Sequence, residues 1–252
     1  MSTILITGIG GDIGQGIARI LREIRPAMNI IGTDVHTRHG GQLFCDDFHV
    51  VPRADNPAYS DKLSALIDAN QVAWCIPASV PELTLIAGEQ IDSFGNAELV
   101  GVSHSALAVG TDKLKTHRFL ESIDIPVPWT VETTSDPNRL VFPCIYKPRT
   151  GSGSKDVYTV CNADQAVSFS QQSPGGIFQE LLLPDSEEIT CAVYRNRQGE
   201  TRVLQLLRRL VGGLTGWGQV VDIPEITTQC EKITSALDLE GPINIQLINT
   251  PA

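Results

Sequence analysis

The sequence predicts an α/β chain in two parts: a parallel-sheet domain over residues 1–110, then an α+β domain with antiparallel sheets over 111–252. Three observations carry this. Apolar runs alternate with amphipathic helical segments through the first part, the pattern of a parallel sheet with helices on its faces. The stretch "ILITGIGGDIGQGIARIL", Ile4 to Leu21, passes from strand through clustered glycines into helix, as a dinucleotide-binding βαβ unit begins. Beyond Thr111 the apolar runs follow one another with turn signals between them, which reads as antiparallel pairing.

The elements follow in order. "STILITG" is a buried strand, and Ile13, Ile17, Ile20, Leu21 and Ile24 then recur at helical spacing. "NIIGTDV" and "FHVVP" read as strands, "SDKLSALIDAN" as a helix and "QVAWCIP" as a strand. "PELTLIAGEQID" opens with proline in a first helical turn, and "AELVGVS" is a final strand. In the second part, "DKLKTHRFLESIDIPVPWT" is a helix capped by Asp112 and stopped by Pro126 and Pro128. The strands expected after it are "VFPCIYKP", "DVYTV", "GIFQELLL", "EEITCAVYRN" and "ETRVLQLLRRLV", with "NRQG" as a hairpin turn. Helices are expected near Ala163 to Ser170 and Glu225 to Leu237.

Composition narrows the function classes. The 252 residues are 42% hydrophobic and 19% charged, ordinary for a globular protein. Nineteen basic against 29 acidic residues leave a formal charge of −10, which argues against a broad nucleic-acid or anionic-membrane surface. The six cysteines are scattered without a CxxC pair, and with no signal peptide the expectation is reduced thiols in the cytoplasm. No apolar run approaches the ~20 residues of a membrane span, so a soluble protein is expected.

Thr7 to Gly14, "TGIGGDIG", fits the TGxxGxxG loop of extended short-chain dehydrogenases, with Asp34 ending the second strand where a ribose-binding acid would sit. Such a loop presents backbone N–H groups and a helix N-terminus to a pyrophosphate. That chemistry also requires a Tyr-x-x-x-Lys pair, and none of Tyr59, Tyr146, Tyr158 and Tyr194 has lysine four residues on. The Rossmann-like first domain therefore reads as a glycine turn chosen for close packing, and an NAD(P)-dependent short-chain-type oxidoreductase is the less favoured alternative.

The second half holds the more informative set. "YKPRTGSGSKDV" places Lys147 at a strand end before a loop of Gly151, Ser152, Gly153 and Ser154, whose backbone N–H groups and hydroxyls suit a triphosphate. "FQELLLPDSEEITCAVY" puts Gln179 and Glu180 at the end of an apolar strand, placed to meet an adenine edge, and Glu187 or Glu188 at the start of the next, placed for ribose hydroxyls.

With "TDKLKTHRFLESIDIPVPWT" ahead of these and "GPINIQLI" behind, the order resembles the ATP-grasp superfamily, of the carbamoyl-phosphate-synthase large-subunit type. The first domain looks like its pre-ATP-grasp domain. The resemblance implies phosphate contacts from Lys113, Lys147 and a lid at Ser152, Gly153 and Ser154. It implies an adenine-side hinge at Gln179, Glu180 and Leu181, and a ribose acid at Glu188. Arg208 or Arg209 would steady the transferred phosphoryl and acyl groups, and Gln246 would stand beside the magnesium. The implied cofactors are ATP and Mg²⁺. The implied activity is a ligase that activates a carboxylate as an acylphosphate for attack by an amine or ammonia. Such phosphoryl transfer is mostly positioning and charge neutralisation.

One departure is visible. The family follows its "NIQ" strand with a strand carrying a Glu-x-Asn pair that holds magnesium, and this sequence runs only to "INTPA". The expectation is a shortened chain, with a second polypeptide completing the site or a catalytically inactive module as alternatives, and an unpaired sheet edge at the last strand. Expected partners are small-molecule carboxylate and amine substrates, with no nucleic acid and no membrane. A homo-oligomer or a completing second polypeptide stays open. His36, His39, Cys45 and His49 fit no common zinc spacing. Glu82 reads as a helix-start acid, against a weaker reading in which it faces substrate.

Overall fold

The computed structural model describes residues 2–151, 156–183, 187–211 and 214–250. The chain divides into two compact units, Met1–Leu107 and Ala108–Ala252.

The first unit is built on β1 (Thr3–Ile6), β2 (Asn29–Asp34), β3 (Asp47–Val50), β4 (Val72–Ile76), β5 (Ser93–Phe94) and β6 (Ala97–Leu99). They lie in the order β3-β2-β1-β4-β6-β5, parallel except for β5, which pairs antiparallel with β6. The period-2 alternation of a strand splits β1 between two cores. Leu5 joins Tyr59, Leu63 and Ile67 of α2 (Tyr59–Ala69) and Ile86 of α3 (Val80–Glu89) on one face. Ile4 and Ile6 join Ala18 of α1 (Asp12–Ile24) on the other. The β5–β6 hairpin is not apparent from the apolar pattern. It is made by Gly95 at φ +54° and by Asp68, which accepts from Asn96 N at 2.9 Å.

The glycine loop is closed by its own neighbours. Gly14 lies so near the turn that a Cβ would meet the Gly8 carbonyl at 2.6 Å, so α1 can start there only on glycine. Glu82 is 6% exposed and forms a capping box with Ser79 at the start of α3. It also accepts from Thr7 Oγ1 and, at 2.7 Å, from the Tyr59 hydroxyl. One carboxylate thus ties the end of β1 to the first turns of α2 and α3.

The second unit carries two antiparallel four-stranded sheets. In the first, β7 (Thr130–Glu132), β10 (Gly176–Glu180), β8 (Cys144–Pro148) and β9 (Tyr158–Val160) lie in that order. Its core joins Cys144, Tyr146 and Phe178 to Ala166 and Phe169 of α6 (Ala163–Gln172). Asn162 caps α6 by accepting from Gln165 N, and Asp112 caps α5 (Lys113–Ser122), which follows the short α4 (His104–Gly110) in the chain, by accepting from Leu114 N and Lys115 N. The second sheet has the order β13 (Leu214–Val221), β12 (Thr201–Val211), β11 (Glu188–Arg195), β14 (Gly241–Ile248). Ile189, Cys191 and Val193 of β11 pack on Ile226 and Cys230 of α7 (Pro224–Ala236). Neither β7 nor β13 is expected from the sequence. β7 is three residues behind prolines, and "LTGWGQVV" has too many glycines for a strand signal, so cross-strand pairing to β12 decides it. β14 ends its sheet among the described strands.

Candidate functional site

Alternation along β8 sets the first half of the site. Cys144 and Tyr146 enter the core beneath α6, so Ile145 and Lys147 take the opposite face. Lys147 Nζ donates to Gln179 Oε1 on β10 at 2.5 Å, and Gln179 Nε2 donates to Thr130 Oγ1 on β7 at 2.8 Å. A polar row therefore crosses three strands. Burial, and after it the charge of Lys113, pushes the Lys147 ammonium down to about 8.

Lys113 opens α5 directly after its cap. Its backbone N–H donates to Arg149 O at 2.9 Å, and its Nζ donates to Gly151 O at 3.0 Å. Burial lowers its pKa too, against the opposing charge of Asp112. Ser152, Gly153 and Ser154 lie outside the described residues. Arg149, which the sequence reading passes over, organises this corner. Its Nε donates to Asp112 at 3.1 Å and its Nη1 to Glu132 at 3.3 Å. Burial of Asp112 works to raise its pKa, but the Arg149 bonds and the two helix N–H groups hold it below the usual carboxylate range. Arg149 is thus neutralised by two carboxylates. Neither Lys113 nor Lys147 forms an ion pair among the described residues. Two half-buried ammonium groups, one of which lowers the pKa of the other, leave positive charge that no ion pair among the described residues meets and that an anion would satisfy.

At the end of β10, Glu180 N donates to Trp129 O at 2.9 Å, and Glu180 Oε2 accepts from Trp129 N at 3.2 Å. The Glu180 side chain is therefore engaged by backbone, and Leu181 follows just beyond the strand.

One face of the second sheet holds the remaining residues. Glu188 and Arg208 lie one step beyond the Ile189–Leu207 pair of the β11–β12 register, and Arg208 Nε donates to Glu188 at 3.0 Å. Their side chains are 19% and 13% exposed, so this is a largely buried pair. Two residues on, Thr190 donates to Asn244 of β14 at 2.8 Å and faces Gln246 in register. Asn244 is a second amide on this face that the sequence reading misses; its signal is the period-2 spacing from Gln246. Arg209 projects to the other face, where its guanidinium lies 5.2 Å from the Trp217 ring centroid. Of the two arginines, only Arg208 shares a face with Glu188 and Gln246.

The donors on this face do not make a magnesium site by themselves. Glu188 is committed to Arg208, and Asn244 and Gln246 offer neutral amide oxygens where Mg²⁺ favours carboxylates.

The opening loop has a different chemistry. Asp34 accepts from Gly10 N at 2.9 Å and from Val35 N at 2.7 Å, so the acid at the end of β2 is taken up by the loop itself. The His39 ring packs where a Cβ on Gly10 would fall. Asp34, His36 and His39 bring one potential ligand atom each within 4.8 Å of the others. Yet His36 Nδ1 accepts from Arg38 N and His39 Nδ1 from Gly41 N, which leaves the ring protons on Nε2 and no free imidazole lone pair for a metal. Cys45 and His49 stand outside the cluster; His49 pairs with Asp47.

Residues 110–250, more than half of the chain, match the family model described as "ATP-grasp domain". No curated protein matches the sequence. Among solved structures, N5-carboxyaminoimidazole ribonucleotide synthetase from Thermotoga maritima is 19% identical with a TM-score of 0.69, over 99% of this chain and 65% of its own. The Staphylococcus aureus N5-carboxyaminoimidazole synthetase complexed with ADP is 16% identical with a TM-score of 0.77, over 99% and 67%. An L-amino acid ligase from Bacillus licheniformis is 14% identical with a TM-score of 0.72, over 99% and 64%. The chain thus spans about two thirds of the length of these proteins. At these identities the likeness is one of fold.

Proposed function

The chain belongs to the ATP-grasp family, and from that premise we propose that it is an ATP-dependent ligase activating a carboxylate for attack by an amine or ammonia. The observation that carries the reading is the pair of half-buried ammonium groups at Lys113 and Lys147, neither in an ion pair among the described residues, with Lys113 Nζ on the Gly151 carbonyl. A triphosphate supplies the missing negative charge, and the chain contributes it a prepaid electrostatic site. A carboxylate oxygen of the substrate attacks the γ-phosphorus and ADP leaves. The amine nitrogen then attacks the acyl carbon, the carbon–oxygen bond to phosphate breaks, and the nitrogen gives up a proton. Arg208 is assigned to the charge on the transferred groups, held in place by Glu188, and Gln179, Glu180 and Leu181 to the nucleotide base. ATP enters as its magnesium salt. No step is assigned to the metal, because Glu188, Asn244 and Gln246 do not form a carboxylate site.

That same donor set favours one second reading, an inactive or split ATP-binding module needing a second polypeptide. No helix among the described residues is long and apolar enough to cross a membrane, which is compatible with small-molecule substrates in the cytoplasm.

The test is ADP release over a panel of carboxylates with ammonia and amino acids, together with ATP binding by calorimetry. Ligase activity predicts ADP release that needs both co-substrates. Arg208→Ala is expected to lower that turnover by about a hundredfold, as loss of one preorganised donor does, while changing ATP affinity less than about threefold. ATP binding without ADP release over the whole panel would favour the second reading. Absence of ATP binding would sink both.

A further inference from the structure

Strand β11 and helix α7 bring two cysteines together in the core of the second sheet. Alternation along β11 sends Ile189, Cys191 and Val193 to the helix side, and Ile226 and Cys230, four residues apart, share the face of α7 that meets them. Hydrogen bonds to β12 fix where the helix lies. Gln205, the register partner of Cys191, accepts from Ile223 N at 3.1 Å and donates to Thr227 Oγ1 at 2.8 Å, one turn ahead of Cys230. Toward the other end of α7, Thr234 Oγ1 lies 3.4 Å from Thr201 Oγ1. Between these tethers Cys230 meets Cys191, and its thiol donates a hydrogen bond to the Cys191 sulfur. That bond lowers the Cys191 pKa against the effect of burial and raises that of Cys230. Cys45, Cys75 and Cys144 are instead raised, by burial first. Cys191 and Cys230 are free, 0% and 1% exposed, and the ligase reading uses neither sulfur.

The geometry points to a redox site: in the presence of a peroxide, Cys191 and Cys230 join as a disulfide that staples α7 to β11. The better nucleophile of the pair is the sulfur that accepts the hydrogen bond. The Cys191 sulfur attacks one peroxide oxygen, the oxygen–oxygen bond breaks, and the leaving hydroxide departs as water with the Cys191 proton. The Cys230 sulfur then attacks the sulfenic sulfur, and the hydroxyl group leaves as a second water with the Cys230 proton. The two thiols give up two electrons, the peroxide takes them, and one disulfide and two waters result. Because neither sulfur is exposed, the oxidant enters when α7 lifts locally from the sheet, and the reaction follows that opening. The loop so closed runs through β12 and β13 and therefore carries Arg208. Closing it takes freedom from the unfolded chain, so the disulfide form should melt roughly 5 °C or more above the dithiol form.

The full chain is incubated, folded, with excess hydrogen peroxide, quenched with catalase, and its free thiols are alkylated. Peptide mapping by mass spectrometry without reduction should find the Cys191 and Cys230 peptides linked and Cys75 alkylated. Dithiothreitol should separate the linked peptides, and calorimetry should show the rise in melting temperature lost with them. Cys230→Ala should give no linked peptide and no rise on treatment. Recovery of Cys191 and Cys230 as alkylated thiols, or as sulfinic acids, overturns the proposal. So does a linked pair whose melting temperature is no higher than that of the dithiol form. The mapping of the unsubstituted chain stands even where the variant fails to fold. None of these readouts depends on ATP, so the outcome is separate from that of the ligase assay.

Discussion

Lys147→Ala should raise the dissociation constant for ATP about thirtyfold or more, the roughly 2 kcal/mol of a charge-assisted hydrogen bond to phosphate in a sheltered site. The lysine emerges from a central strand, is fixed by Gln179, and has no carboxylate ion pair among the described residues. Its lowered pKa, about 8 through burial and the nearby Lys113, makes the affinity pH-dependent. Above pH 8 the free protein loses the ammonium charge, so ATP affinity should fall as pH rises from 7 to 9. Stability should move the other way. The folded-state pKa lies below the ordinary 10.5, so the unfolded chain holds the extra proton between those values and apo stability rises with pH across that window. Lys147→Met removes the buried charge and keeps the aliphatic stem. Its melting temperature at pH 7 should equal or exceed that of the parent while its ATP affinity is lost. Unchanged ATP affinity in Lys147→Ala would remove the lysine from the nucleotide site. A melting temperature several degrees lower in Lys147→Met would instead mark it as a structural residue.

The largest stability effect is expected at Glu82. Its carboxylate accepts from Thr7 Oγ1, from the Tyr59 hydroxyl at 2.7 Å, and from Ser79 Oγ and N at 2.8 and 3.2 Å. Burial, and then the Glu82 charge, raises the Tyr59 pKa, which keeps the phenol protonated and donating. Glu82→Ala strands the Thr7 and Tyr59 hydroxyls, which belong to residues no more than 1% exposed. A loss of about 3 kcal/mol follows, equivalent to a fall of roughly 6–12 °C in the melting temperature for a chain of this size. Glu82→Gln should cost about half as much, because one amide oxygen still accepts while the amide nitrogen faces donors. Differential scanning calorimetry of both variants reads this. A Glu82→Ala shift within experimental error would mean that the carboxylate is not the tie between β1, α2 and α3.

Much of the second unit was legible because its signals are local. Asp112 before "KLKTHRFLES" and Asn162 before "ADQAVSFSQQ" mark the starts of α5 and α6, since a side-chain acceptor one residue ahead of a helix meets its free N–H groups. Lys147 at the end of an apolar run before a glycine loop was visible for the same reason. Arg149 was not, because its role comes from Asp112 and Glu132, which approach it only in the folded sheet. The two arginines in "LLRRLV" could not be told apart by sequence, since alternation states that they face opposite ways but not which way. The register of β11 against β12 decides it by setting Arg208 against Glu188. Glu82 is a helix-start acid in the sequence and a four-donor junction in the fold.

The opening glycines draw the same boundary. From residue types alone, "TGIGGDIG" is a strand-to-helix turn with an acid waiting at the end of β2. In the fold Gly10 N–H and Val35 N–H take that acid, and His39 closes over the glycine. The sequence by itself determined the alternation of strands and helices and the helix caps. Each of these is dictated by backbone hydrogen bonding and burial over a few neighbouring residues. The tertiary structure alone decided which charges are compensated by an ion pair and which are not. That depends on pairing between residues tens of positions apart, which register and packing set and short-range pattern does not encode.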